Sequence, residues 1–230
     1  MPSGKGRWGE VACSLLLFAI GAAFFAGFAP WTRPVLLDAA TWDSMAVATA
    51  DGLVPYRDVF LHKTPGAALL GAVGAAFGKA LGLEPVLSAH ALFLALGAGA
   101  PVLIYLLLRT RLPRGAAFAS ALALLAYDEW AVAALEGCRP KVATVFFGLA
   151  SMLAAERRAA FAASVLGGVS VLFWQPGLAF LLGAWTTTLG QGERRPARWL
   201  AIAAASLLPS LLLLIIIRAP SLGRKNPMTS

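Results

Sequence analysis

An all-helical integral membrane protein is the fold class this sequence predicts, and three observations carry it. The 230 residues are 59% hydrophobic and only 13% charged, with a mean hydropathy of +0.76. A soluble domain is nearer one quarter charged. Apolar runs long enough to cross a bilayer recur along the chain, separated by short polar intervals. The basic residues fall in those intervals, which is the positive-inside pattern. The net charge of +8 is therefore a topological signal, and no nucleic-acid partner is expected. Cys13 and Cys138 have neither metal-ligand spacing nor a partner motif, so neither a disulfide nor a metal site is expected of them.

The elements follow in order. Residues 1–10 are short and basic, with Lys5 and Arg7. Residues 11–30 give about 19 apolar residues, too long for a signal peptide and followed by no good cleavage site. They predict an uncleaved first span with a cytoplasmic N-terminus. Residues 31–66 form a long polar loop. Residues 66–82 are about 17 residues, short for a span, and Lys79 interrupts them. Gly71, Gly74, Gly78 and Gly82 make a small-residue stripe suited to close helix packing. Spans are then predicted at 88–108, 115–130, 142–155, 159–173, 177–189 and 199–217, and a disordered tail at 218–230. Trp8, Trp31, Trp130, Trp185 and Trp199 stand near span ends, as aromatic belts do.

Charge sets the topology. If 66–82 is a re-entrant or surface-lying helix, the chain crosses seven times. The basic turns at 109–114, 156–158 and 194–198 then share the cytoplasm with the N-terminus, and eight of the eleven acidic residues lie outside. The basic tail (Arg218, Arg224, Lys225) would also lie outside, which points to a chain that continues into a further span. Residues 1–217 read as one membrane module, multi-pass and most simply placed in the plasma membrane.

The longest polar interval runs from Asp38 to Gly66. It holds Asp38, Asp43, Asp51 and Asp58, with Arg57, His62 and Lys63. Charges kept beside membrane spans are costly unless they act. Trp42, Met45, Ala46 and Thr49 recur at helical spacing, predicting an amphipathic helix on the outer membrane surface. An acid near Arg and Lys suits a lipid phosphate: the cations bind the phosphate, and the carboxylate takes a proton from an incoming hydroxyl.

Asp38, then Gly52-Leu53-Val54-Pro55-Tyr56-Arg57-Asp58, then His62-Lys63-Thr64-Pro65 stand in a specific order after the first span. This stretch resembles the first extracytoplasmic loop of the GT-C superfamily of membrane glycosyltransferases, the group of the protein O-mannosyltransferases and aminoarabinose transferases (glycosyltransferase families 39 and 83). The resemblance implies a polyprenyl-phosphate sugar donor, with a mannose-like hexose most in keeping, and inverting transfer to a glycan, lipid or protein acceptor on the extracytoplasmic face. It implies Asp38 as the general base and Arg57, His62 and Lys63 as ligands of the donor phosphate. Tyr56, Asp58, Glu136, Arg139 and Gln175 would support them. The family's second acid is in doubt, since Lys141 stands where an acid is common, and Glu136 or the Asp128-Glu129 pair could substitute. No cofactor is implied with certainty; a divalent metal is compatible, but no compact carboxylate cluster is visible.

Plainer readings stand beside these. Asp38 could cap the surface helix. Asp43 and Asp51 would be solvated helix-face and turn residues. Arg57 and Lys63 could snorkel to headgroups, and Asp58 could only hold Arg57. His90, inside an apolar span, would be a packing or helix–helix hydrogen-bonding residue. The alternative function is a non-catalytic or truncated GT-C-like subunit acting with a partner. A transporter would place its charges within spans and show paired repeats, and neither is visible.

Overall fold

The computed structural model describes residues 4–32, 37–58, 64–192 and 196–218. Ten α-helices and one 3-10 turn are the regular elements among them. They are α1 (Gly4–Gly27), α2 (Leu37–Ala50), α3 (Gly66–Ala80), α4 (Pro85–Leu108), α5 (Arg114–Leu122), α6 (Asp128–Leu135), α7 (Pro140–Glu156), α8 (Ala160–Phe173), α9 (Gly177–Gly190) and α10 (Pro196–Arg218). Two stretches, Trp8–Gly27 and Pro85–Leu108, are long and apolar enough to cross a membrane. Gly66–Ala80, Ala160–Phe173, Gly177–Gly190 and Leu200–Ile215 are apolar but shorter. The tail beyond 218 and loop residues His62 and Lys63 lie outside the described residues.

Local chemistry sets the boundaries. Glu84 caps α4: its carboxylate accepts the Leu87 N–H at 2.6 Å, and Pro85 takes the first helical position, where no N–H is needed. Pro140 starts α7 in the same way. One predicted span divides: 115–130 becomes α5 and α6, joined by short-range turns at 122–127 such as Leu125 N–H to Leu122 O at 2.9 Å. Asp128 and Glu129 then open α6, where carboxylates favour a helix N-terminus. Trp130 is consequently buried in the core rather than at an interface.

Packing fixes the relative directions. α1 runs antiparallel to α4: Arg109 reaches Glu10 at 3.4 Å near one end, and Gly21 abuts Ala98 further along. α4 and α7 run the same way, since Gly137 meets His90 before α7 begins and Arg111 bonds Glu156 where α7 ends. α8 returns along α7 through Ser151 to Ala163 O at 2.6 Å and Ser170 to Thr144 O at 2.8 Å. α8 also packs α9 and α10. Contact with α10 is so close at Gly168 that a Cβ would stand 2.2 Å from the Ser206 carbonyl oxygen. One end of the bundle thus carries Arg109, Arg111, Arg114, Arg157 and Arg158. The other carries α2, the start of α4, the 136–139 loop and the end of α8.

α3 crosses that second end. Its Gly78 abuts Ser88 near the start of α4, and its Gly66 abuts Leu172 near the end of α8. The glycine stripe packs as its spacing predicts at three positions: Gly71 meets Ala46 and Cys138, Gly74 meets Ala89, and Gly78 meets Ser88. Gly82 differs, having open space around it and φ +68°, so it makes the turn into α4.

α2 is helical as expected, but its apolar face is already occupied. It packs on α3 and α4, burying Ala39, Trp42, Asp43 and Ala46. The protein therefore covers the face that the sequence assigns to the bilayer. Asp43, read as solvated, is buried within it.

Candidate functional site

Where α2, the 136–139 loop, the start of α7 and the turn after α8 converge, they enclose a cavity of about 280 Å³. Asp38, Trp42, Thr64, Arg139, Pro140, Lys141, Phe173, Trp174 and Gln175 line it. Asp38 sits in the first turn of α2 rather than preceding it. Its side chain is 49% exposed, and Arg139 bonds its carboxylate. The Arg139 guanidinium also binds Glu136, with Nε 2.6 Å from Oε2. Glu136 and Arg139 are one helical turn apart in sequence, and the extended backbone of Arg139 ahead of Pro140 turns its side chain back to that carboxylate.

Lys141 is the second cation of the cavity. Its Nζ lies 5.8 Å from the centre of the Trp174 ring, a cation–π contact. Trp174, Gln175 and Pro176 form the break between α8 and α9. Thr64 closes the wall by donating to Phe173 O at 2.6 Å. The charged lining among the described residues is thus one carboxylate and two cations, with aromatic walls. Such a site favours an anion with a ring or chain attached.

Below Asp38 lies a second polar cluster, which is buried. Asp43 Oδ2 lies 2.8 Å from His90 Nε2, and Asp43 Oδ1 accepts the Cys138 N–H at 3.1 Å. The exposures of Asp43 and His90 are 5% and 8%. Burial pushes the Cys138 thiol up from its ordinary value, and the Asp43 charge adds to the shift. Gly137, at φ +80°, lets the loop approach.

The structure brings together only part of the sequence-predicted set. Asp38, Glu136, Arg139 and Gln175 meet at the cavity or directly behind it. Arg57 does not line the cavity: it pairs with Asp58 at 2.9 Å, and Asp58 also accepts the Val54 N–H at 2.9 Å. The hydrogen bond to Asp58 raises the Arg57 pKa. Tyr56 precedes this pair at φ +67°, exposed. Asp51 pairs with Lys79. Asp128 and Glu129 lie on the exposed start of α6. His62 and Lys63 are outside the described residues. Lys141, Trp42 and Trp174 were not singled out as ligands from sequence. The signal for Lys141 was its place two residues after Arg139, across a proline that starts a helix.

Among the described residues, no group of three or more His, Cys, Asp or Glu side chains is arranged to hold a metal ion. No family model matches the chain, and neither a curated protein nor a solved structure matches it.

Proposed function

We propose that the chain is an integral membrane glycosyltransferase of the GT-C type, moving a hexose from a polyprenyl-phosphate donor to an acceptor hydroxyl outside the cytoplasm. The observation that carries this reading is the cavity in which Asp38, Arg139, Lys141 and Trp174 meet. In this reading the donor phosphate lies between Arg139 and Lys141, and the sugar faces Asp38. The acceptor oxygen bonds the anomeric carbon as the bond to the phosphate oxygen breaks. The hydroxyl proton goes to Asp38, and polyprenyl phosphate leaves with its charge held by the two cations. Inversion follows from attack opposite the leaving group.

The Asp38–Arg139 pair fits this sequence of events. An incoming phosphate competes with Asp38 for the guanidinium and frees the carboxylate to act as a base. Glu136 keeps Arg139 in place meanwhile.

The separation of charge supports a crossing topology. Five arginines sit at one end of the bundle and the cavity at the other, which suits a cytoplasmic basic end and an extracytoplasmic site. α3 then lies across the outer end without crossing, and α1, the α5–α6 pair, α4 and α7–α10 make seven crossings, in the plasma membrane.

A second reading has one observation in its favour. With Asp38 neutralised by Arg139, the chain could hold the lipid donor for a partner subunit without transferring the sugar. Membranes carrying the chain, given labelled polyprenyl-phosphate hexose, distinguish the two. Sugar release or transfer above that of membranes lacking the chain supports the enzyme. Donor retention with no release supports the binding subunit. The absence of both release and retention contradicts both readings.

A further inference from the structure

The buried pair of Asp43 and His90 plays no part in the chemistry above. It sits within the protein, not in the cavity, and joins three separate elements. Asp43 is on α2, His90 is on α4, and the Cys138 N–H belongs to the loop that ends in Arg139. α2 and the loop are therefore tied twice, through neighbouring residues: Asp43 to Cys138, and Asp38 to Arg139. The first tie is buried and the second opens on the cavity.

A buried carboxylate is a poor source of stability, since apolar residues of similar volume often serve as well or better. It does specify geometry, because its oxygens must find their donors. Asp43 finds them on two different elements. The Cys138 side chain adds nothing reactive, its thiol being held protonated by burial. The loop is fitted to the pair: a Cβ on Gly137 would stand 2.6 Å from His90 Nε2 and 2.8 Å from Asp43 Oδ1.

We propose that Asp43 and His90 are positioning residues, which fix the 136–139 loop against α2 and so set Arg139 opposite Asp38. The proposal rests on Asp38 and Arg139 being the working pair of the site. His90 holds Asp43 in the rotamer that receives the Cys138 N–H. Loss of His90 frees that carboxylate, loosens the loop and blurs the placement of Arg139. Ligand contacts at Lys141 and Trp174 stay in place.

The test uses the full chain in lipid nanodiscs, as wild type, His90→Leu, His90→Gln and Asp43→Asn. Gln keeps an N–H that reaches Asp43. Asn keeps an oxygen for the Cys138 N–H, and its amide donates to the other His90 tautomer. Two readouts are taken: hydrogen exchange of the 136–141 segment, and turnover of labelled polyprenyl-phosphate hexose with kcat and KM separated. His90→Leu is expected to speed exchange at 136–141 by about tenfold or more, as local opening does. It is expected to lower kcat by roughly a hundredfold with KM within about threefold, the mark of lost transition-state geometry. His90→Gln and Asp43→Asn are expected to recover most of both effects. Unchanged exchange in His90→Leu overturns the proposal. So does a loss in His90→Gln as deep as in His90→Leu, or a general rise in exchange across all helices, which marks a merely structural role. If the wild-type chain shows no turnover, the glycosyl-transfer reading falls, and the exchange data alone decide the positioning role by the same outcomes.

Discussion

The guanidinium of Arg139 bonds the carboxylate of Asp38 across 101 positions of sequence. Arg139 is held from behind by Glu136, so the three charges form a chain from the 136–139 loop to α2. The outermost member, Asp38, faces the cavity that also contains Lys141. Its placement sets one carboxylate beside the two cations of the cavity, Arg139 and Lys141.

Removing the Lys141 charge should weaken lipid-phosphate binding. A hydrogen bond from a charged group contributes about 1.5–3 kcal/mol, so Lys141→Met should raise the Kd for a short-chain polyprenyl phosphate by about tenfold or more. Lys79→Met, at the exposed pair with Asp51, should leave it unchanged. Quenching of tryptophan fluorescence measures both, since Trp42 and Trp174 line the cavity. Equal Kd values in the two variants would remove Lys141 from the site.

Cys138 should be inert while the protein is folded. It is fully buried, and burial raises its thiol pKa above the ordinary value. Raising the pH to about 8.5, where a free thiol is half ionised, should therefore leave it unlabelled by a maleimide. Labelling should appear on denaturation. Labelling of Cys138 in the folded protein, scored by peptide mass, would contradict the packing of the 136–139 loop.

Two glycines should respond in opposite senses to alanine. Gly168→Ala drives a Cβ to 2.2 Å from the Ser206 carbonyl and must push α8 from α10, at a cost of about 1–3 kcal/mol. Gly115 is in the first turn of α5 with nothing within 4 Å, so Gly115→Ala should be neutral or stabilise by up to about 1 kcal/mol. Thermal unfolding in detergent reads both. A lowered Tm for Gly115→Ala or an unchanged one for Gly168→Ala would contradict the helix packing.

Gly137→Ala should be damaging, because this loop glycine is buried. Its φ of +80° is unfavourable for alanine, and the added carbon collides with the Asp43–His90 pair. A loss of more than about 1 kcal/mol is expected, together with faster hydrogen exchange at 136–141. A variant with wild-type Tm and exchange would show that the loop has slack.

The sequence made the helical class legible because apolar runs and their breakers are local signals. Pro85, Pro140 and the Trp174–Gly177 break stand where helices begin or end. The divided 115–130 run was harder to see. No glycine, proline or charged residue separates α5 from α6, since 123–127 read Ala-Leu-Leu-Ala-Tyr, and the break shows only as two carboxylates that prefer a helix start. Asp38 and Arg139 were visible as site residues, but their meeting depends on packing across the bundle, which no local pattern encodes. Asp43 was misread because the buried face of α2 is set by Ala39, Trp42, Asp43 and Ala46, while the Trp42–Met45–Ala46–Thr49 spacing turns that face by about one residue. A lone His in an apolar span and a lone Asp on an apolar helix face are each ambiguous. Together they are the signal of a buried pair.

The most direct measurement of the central claim is sugar release from labelled polyprenyl-phosphate hexose by the wild-type chain and by Asp38→Asn, with donor binding measured in parallel. The account predicts that Asp38→Asn binds donor within about threefold of wild type and loses turnover by a factor of about 100–10,000, the usual worth of a general base. Wild-type turnover in Asp38→Asn would remove Asp38 from the chemistry and contradict the proposed reaction at this cavity.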